Sequence, residues 1–427
     1  MSHETTPHEL SPASALPLAY YLFAHAGLLL GLIALMVEPT LPGASFYHPR
    51  MVALVHVVTL AWMSGSILGS FYIVGPLALR VPMAVGFIDW VAFGGFAMGT
   101  SVMVAAFWTG WYDRVAWGAA PVTAAIGWVG ACALRGLPRS PAPRGVTLHV
   151  VLAFFNMVLA AGLGIALALD RSRDFLGLSP LSVTFAHAHL AAIGWGTMMV
   201  VGLSYRLIPM ILPAAMPTGW RLGISAVLLQ AGTLLLAFAL VFDTRWTAAS
   251  ALLVTGGFAS FAMRMRASVR RRMPRPPALP VRDWSSWQAH AALLWMLVAL
   301  AVGLVLSVGA PPDRRLQLMW IYGVAGLLGF LGQMVAGIQG RLVPFYAWYR
   351  AFAALGRPPD RAANELPSAG FARAIFLAWT AGLPLLCLGL AGELPAFTAL
   401  GAAATAAGVL TGAAYLACML RKAKGSS

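Results

Sequence analysis

The chain is short of charge. Asp, Glu, Lys and Arg make up only 10% of its 427 residues, whereas 60% are hydrophobic. So few polar side chains cannot cover the surface of a water-soluble globule of this length, which excludes that class. Several apolar runs exceed the roughly 20 residues that cross a bilayer as a helix. The composition therefore indicates a polytopic membrane protein, whose first partner is the lipid bilayer.

Cysteine is scarce as well. The three cysteines, Cys132, Cys387 and Cys418, fall inside apolar runs, and none belongs to a CxxC pair. Disulfide frameworks and cysteine-ligated zinc sites both need suitably spaced cysteines. The sequence predicts neither of them.

Acidic residues are the third shortage. They number 13 against 28 Lys and Arg, which gives a formal net charge of +15. Such a charge can indicate a nucleic-acid-binding protein. Here the densest basic run, RMRASVRRRMPRP, has no aromatic residue among its arginines. We therefore expect anionic lipid headgroups, and no nucleic acid, as its partners.

Long apolar runs are what the chain has in abundance. Inside lipid the backbone must satisfy its own hydrogen bonds, and unbroken runs do so as helices, whereas barrel strands would be ~10-residue alternating segments. The predicted fold is all-α with twelve transmembrane spans. They lie at 17–37, 51–75, 83–109, 115–134, 146–169, 181–208, 219–241, 246–263, 287–308, 316–340, 371–391 and 397–420.

The distribution of basic residues predicts the orientation in the membrane. Lys and Arg are retained on the cytoplasmic side of short loops. Of the 28 basic residues, 21 lie in the connections after even-numbered spans and in the C-terminal tail, and 7 follow odd-numbered spans. Both termini are therefore expected in the cytoplasm.

One residue pattern occurs twice in full and a third time in part. The second copy, in span 6, follows the first, in span 2, at an offset of 133, and the third, in span 10, follows at a further 135. The third copy has Val324 where the others have histidine. The copies comprise His56, Trp62, Gly69, Tyr72 and Pro76; His189, Trp195, Gly202, Tyr205 and Pro209; and Gly337, Arg341 and Pro344.

The repeat groups the helices in fours. We predict one membrane domain, 1–427, of three pseudo-repeated four-helix units at 17–134, 146–263 and 287–420, with cytoplasmic linkers at 264–286 and 341–370. Such repeats enclose space that side chains or a cofactor must fill.

With this repeat the chain resembles subunit I of the heme-copper oxidase superfamily, including the cbb3-type oxidases and the bacterial nitric oxide reductases. NnrS-type heme-and-copper membrane proteins are a second similarity. The resemblance implies twelve helices in three arcs, a bacterial inner (cytoplasmic) membrane, heme b, and copper as a second cofactor. It also implies a role in the respiratory chain, electron transport or nitric oxide chemistry, with a cytochrome or another redox subunit as partner. Oligomeric state is not indicated.

The chain departs from the family in two of the four spans that supply its metal ligands. His56 matches a low-spin heme ligand, and span 6 offers His187 and His189 where the family has a copper ligand. Span 7 contains no histidine, and span 10 has Tyr322 and Val324 in place of a His-x-His pair. A binuclear heme-copper centre of the usual design is therefore not expected, nor is oxygen or nitric oxide reduction by that mechanism, so any oxidoreductase chemistry would be atypical.

The remaining histidines are candidate heme ligands. Iron in a b-type heme takes one or two axial ligands, most often His or Met. His56 and His189 are the leading candidates, with one heme each or one site shared. His187 points about 200° away from His189 on the same helix, so the two cannot easily serve one metal. His187 is expected either to hydrogen-bond across helices or to ligate a second site.

Further residues complete the predicted site. Arg314 and Arg315, just before span 10, are candidate partners of heme propionates, or else solvated loop residues. Trp62 and Trp195 would line or screen a heme pocket, or pack helices. Two other function classes stay open: a transporter, with Asp89, Gln333 and Gln339 as polar lining, and an assembly or stress protein that handles heme or metal without turnover. The candidate residues of this site are His56, His187, His189, Arg314, Arg315, Trp62 and Trp195.

Overall fold

The computed structural model describes residues 11–45, 47–274 and 283–424, without the side chains of Ala44 and Ser172. Over these ranges the chain is helical and contains no β-strand, only an isolated bridge between Ala214 and Arg272. Twelve helices are long and apolar enough to cross a membrane. The predictions of an all-α class and of a multi-pass membrane protein with twelve spans are confirmed.

The helices are numbered here as the spans were. They are α1 (Leu16–Val37), α2 (Pro49–Leu79), α3 (Phe87–Thr109), α4 (Tyr112–Arg139), α5 (Arg144–Arg171), α6 (Pro180–Ile211), α7 (Leu222–Val241), α8 (Thr247–Val269), α9 (Trp284–Gly309), α10 (Pro312–Leu355), α11 (Ala369–Ala391) and α12 (Pro395–Lys424). Most predicted boundaries lie within a few residues of these.

Helix α10 extends furthest beyond its predicted span. It passes through Pro344 without ending and stops at Leu355, where Gly356 adopts a left-handed backbone conformation with φ 67°. Glycine takes this conformation without steric cost, which is why it commonly terminates helices. Residues 341–355 of the predicted linker are therefore helical. In the other predicted linker, α8 continues to Val269, and residues 275–282 lie outside the described part of the chain.

The described residues divide into two compact units. The first unit comprises 11–45, 47–93, 283–299 and 316–424, and so contains α1, α2, α11, α12 and most of α10. The second comprises 94–274 and 300–315, which includes α4 to α8. The grouping into three repeat units stays a prediction.

A widened, π-helical segment interrupts each of the three helices that carry the repeated pattern. The segments are Val57–Ser64 in α2, Leu190–Thr197 in α6 and Val324–Gly332 in α10. The first two begin one residue after His56 and His189. Helix segments of this kind are rare and occur frequently at functional sites. One lies at each of the positions that the sequence repeat marks, and α2 has a further one at Gly75–Leu79.

The repeated glycines are the points where each of these helices crosses the helix before it. A Cβ at Gly69 would lie 2.9 Å from a side-chain carbon of α1, and one at Gly337 would lie 3.3 Å from a side-chain carbon of α9. Small residues allow transmembrane backbones to approach this closely. The residues facing each glycine are Tyr20 and Pro17 for Gly69, His149 and Val146 for Gly202, and Gln288 and Ser285 for Gly337.

The three crossings share one register. Seven residues beyond Tyr20, His149 and Gln288, the same helix pairs meet again. Equivalent places in α1, α5 and α9 are therefore occupied by Tyr20, His149 and Gln288. His25 of α1 and His290 of α9 do not occupy the place of His149. The second meeting points are Gly27 with Ala61, Asn156 with Gly194, and Trp295 with Gly329.

Candidate functional site

Five histidines within the helices share one local geometry. In each, Nδ1 lies 2.6–2.8 Å from the carbonyl oxygen of the residue four positions earlier. A carbonyl oxygen can only accept, so the hydrogen sits on Nδ1 and the Nε2 lone pair faces away from the helix backbone. Such a bond orients a histidine as a metal ligand. The five are His25, His56, His149, His189 and His290.

His56 lies in the first unit, half-buried at the start of the widened segment of α2. Its Nδ1 is 2.8 Å from the carbonyl oxygen of Val52. Trp62, six residues on, is only 1% exposed and donates its indole N–H to the carbonyl oxygen of Gly332, at 3.3 Å. It also stacks on Trp379, with ring centroids 5.9 Å apart. Trp62 therefore ties the widened segments of α2 and α10 together.

His189 occupies the same place in the second unit. It is half-buried, and its Nδ1 lies 2.7 Å from the carbonyl oxygen of Phe185. Trp195 is buried against Phe154 of α5, with ring centroids 5.2 Å apart. Both tryptophans pack between helices, and their role beside a heme stays a prediction.

A buried amide pair supports the widened segment of α6. Asn156 of α5 donates to the carbonyl oxygen of Gly194, at 3.0 Å, and to Gln230 Oε1, at 2.7 Å. Gln230 donates back to Asn156 Oδ1, at 3.0 Å. A widened helical turn leaves backbone groups that need other partners. In the first unit Trp62 provides the partner, and in the second unit Asn156 does.

His187 has a different environment from His189. Its Nδ1 lies 2.8 Å from the carbonyl oxygen of Ala160, on the neighbouring helix α5, and its ring packs against Gly164. This is the interhelical hydrogen bond expected as one of the two roles of His187.

The predicted arginine pair is exposed. Arg314 and Arg315 lie in the first turn of α10, in the second unit, and Arg314 Nε is 3.8 Å from Asp313 Oδ2. Their side chains are open to the surroundings, and an exposed ion pair of this length contributes little to stability. The geometry matches the solvated alternative more closely than a propionate clamp.

In the third copy, the histidine position is filled by apolar packing. Val324 forms a buried cluster with Cys387 and Leu390 of α11, and partly buried side chains cover it. Across the three described stretches of the chain, no group of three or more His, Cys, Asp or Glu side chains could hold a metal ion. The covering side chains are Trp295, Trp320 and Ile321.

The first unit contains a narrow cavity that the sequence did not predict. Its volume is about 30 Å³, and part of it is open to the surroundings. Three tryptophans and Tyr415 contribute to its walls, and no carboxylate, Lys or Arg lines it. The lining residues used below are His25, Trp62, Gln288, Trp379, Gly408 and Gly412.

Gln288 is one of the buried polar residues that line this cavity. It is 2% exposed, and neither its amide nitrogen nor its oxygen has a hydrogen-bond partner among the described residues. Gln339 also lines the cavity and donates to Ser66 Oγ, at 3.0 Å. Of the polar residues predicted to line a transport cavity, Gln339 does so. Gln333 is buried elsewhere, and Asp89 accepts hydrogen bonds from Tyr72 and from the backbone of Gly86.

No protein-family model and no curated protein matches this chain.

Proposed function

We propose that this protein binds b-type heme in a bacterial cytoplasmic membrane through His56 and His189, and serves a redox, electron-transfer or nitric oxide-related role. One observation carries the proposal. These two histidines stand at equivalent places in their helices, each with Nδ1 bonded to a backbone carbonyl and each directly before a widened helical segment.

The donor chemistry of both residues suits heme iron. A neutral imidazole whose Nδ1–H is bound to a carbonyl offers Nε2 as an axial ligand with a fixed ring orientation. The helices around them are apolar, and such surroundings influence the potential of a heme. When bound, heme would supply one-electron redox chemistry. The part of this chain is to hold the iron and to exclude water.

Two other features of the chain argue against the usual oxidase chemistry. The third-copy position holds Val324, whose side chain cannot coordinate iron and which packs with Cys387 and Leu390. Span 7 contains no histidine that could complete a copper site. We therefore propose a heme protein of oxidase-like architecture without a binuclear centre, and we do not extend the proposal to copper.

The finer architecture belongs to the same proposal. The shared register of the three helix crossings supports three repeated units, and the excess of basic residues in the connections after even-numbered spans supports cytoplasmic termini. A cytochrome or another redox subunit would exchange electrons with the heme.

The test is the visible spectrum of the purified protein. We expect a Soret band that weakens or disappears in His56→Ala and in His189→Ala. If each variant loses about half of the heme, two hemes are bound, and if each loses all of it, one site is shared. His290→Ala is the matched control because His290 has the same Nδ1 bond but is exposed on α9. A colourless wild-type preparation from heme-replete cells, or a Soret band unaffected by both variants, would refute the proposal.

A second function, the handling of small molecules within the membrane, is favoured by the cavity of the first unit. That function requires a solute site among the spans, and Gln288 and Gln339 provide polar groups there. Solute uptake into proteoliposomes would test it, with Gln339→Leu expected to lower the rate.

A further inference from the structure

Two buried ring nitrogens of the first unit border the cavity without a hydrogen-bond partner among the described residues. His25 of α1 is 5% exposed, and its hydrogen bond to the carbonyl oxygen of Tyr21 uses Nδ1 and not Nε2. Trp379 of α11 is 1% exposed, and its indole N–H is bound to no described acceptor. His25 Nε2 is therefore an open acceptor, and Trp379 Nε1 is an open donor.

Two glycines of α12 leave space beside these nitrogens. A Cβ at Gly412 would lie 3.1 Å from His25 Nε2, and one at Gly408 would lie 3.0 Å from Trp379 Nε1. Both glycines line the cavity. They are four residues apart, so they lie on one face of α12, roughly 6 Å apart along its axis. The acceptor and the donor therefore face neighbouring positions of that face.

Trp62 forms the wall that both rings share. Its ring centroid lies 5.0 Å from that of His25, edge to face, and 5.9 Å from that of Trp379, stacked. Its own N–H is already bound to the carbonyl oxygen of Gly332. Trp62 therefore helps to fix the two rings in place without satisfying either nitrogen.

We propose that the cavity holds one water molecule, which accepts a hydrogen bond from Trp379 Nε1–H and donates one to His25 Nε2. A cavity needs about 10–15 Å³ to hold a water, and the volume of this one is about 30 Å³. Two hydrogen bonds of about 2.9 Å reach across roughly 6 Å, which matches the spacing of the two glycines along α12. The water thus links α1 to α11.

The lining of the cavity disfavours the alternatives to a water. No carboxylate, Lys or Arg lines it, so an ion would be buried without a counter-charge, which is strongly disfavoured. Cavities that stay dry are apolar, whereas buried waters bind polar groups that have no other partner. The site contains no proposed heme ligand, so its failure and the failure of the proposed function are separate outcomes.

X-ray radiolytic footprinting tests the proposal. Hydroxyl radicals form from irradiated water and react close to their origin, so a buried tryptophan is oxidised fast only where a water lies beside it. The full-length protein in nanodiscs is irradiated briefly, and oxidised residues are identified by mass spectrometry. We expect Trp379 to be oxidised about tenfold faster than Trp195 of the second unit, which is similarly buried at 2% exposure.

Two variants connect the oxidation to this water. Gly412→Ala places a methyl group beside His25 Nε2 and should slow the oxidation of Trp379 about fivefold, because it fills the space of the water. His25→Phe removes the acceptor and should slow it as well, which provides a test if Gly412→Ala does not fold. Gly162→Ala is the matched control, because a Cβ at Gly162 meets nothing within 4 Å. Oxidation of Trp379 at the rate of Trp195, or at an unchanged rate in a folded Gly412→Ala or His25→Phe protein, overturns the proposal.

Discussion

Replacing Trp62 with Phe should destabilise the first unit more than the loss of apolar area alone would. The indole N–H of Trp62 is bound to the carbonyl oxygen of Gly332, inside the widened segment of α10, and the side chain is 1% exposed. Phe keeps most of the ring but has no donor. The carbonyl oxygen of Gly332 would then lose this partner in a buried environment.

The expected magnitude follows from two contributions. A carbonyl that loses its buried partner costs about 1–3 kcal/mol. Interhelical hydrogen bonds in membranes average only about 0.6 kcal/mol, which favours the lower half of that range. The void left by the smaller ring adds roughly 1 kcal/mol, as for a lost methylene or two in a core. We therefore expect a loss of about 2–3 kcal/mol in the free energy of unfolding.

The assay is equilibrium unfolding in bicelles by steric trapping, with hydrogen exchange across residues 324–332 as a local readout. Trp287→Phe is the matched control, because Trp287 is 58% exposed and should change stability by less than about 0.5 kcal/mol. If the free energy of unfolding of Trp62→Phe lies within about 0.5 kcal/mol of the wild-type value and hydrogen exchange in α10 is unchanged, the hydrogen bond does not support the widened segment and the reasoning is wrong.

Three further variants probe other contacts. Gly202→Ala places a Cβ against His149 and should cost about 1–3 kcal/mol by overpacking, measured by the same unfolding assay, whereas Gly162→Ala should be neutral. Asn156→Leu should cost about 1–3 kcal/mol because it leaves Gln230 and the carbonyl of Gly194 unpaired. Adding Gln230→Leu should recover part of this loss, and a double variant whose loss equals the sum of the two single losses would contradict the reasoning. Arg341→Met should cost roughly 1–2 kcal/mol, a value between those of exposed and buried ion pairs, because the side chains of Arg341 and Asp283 are only 15% and 20% exposed. If the variant is as stable as the wild type and its stability does not depend on salt, the ion pair contributes nothing.

The membrane class and the helix count could be predicted because both depend on local properties. Each span is a run of apolar residues long enough to cross a bilayer, and neither property needs a partner helix. The end of α10 was harder to predict. The predicted span ended at 340, before Pro344, but a proline inside a transmembrane helix is tolerated where neighbouring groups satisfy the freed backbone. The helix instead ends at Leu355, directly before Gly356.

The candidate histidines were found by repetition, which a sequence displays directly. Their hydrogen-bond geometry was not predictable, since it depends on rotamers. Gln288 was missed because a single glutamine near the start of an apolar span carries no recurring signal. Its equivalence to Tyr20 and His149 becomes visible only in the helix crossings, because the spacing between the repeats differs along α1, α5 and α9.

By itself, the sequence determined that this protein has twelve apolar helices, that one pattern recurs in three of them, and that the third copy lacks both the histidine and the tyrosine. These are properties of composition and order along the chain. Only the tertiary structure decided where a missing side chain leaves space: Val324 is buried in apolar packing, whereas Gly408 and Gly412 border a cavity. The physical reason is that the space of a missing side chain is either filled by side chains of the neighbouring helices or left empty. Which of the two occurs depends on how those helices pack.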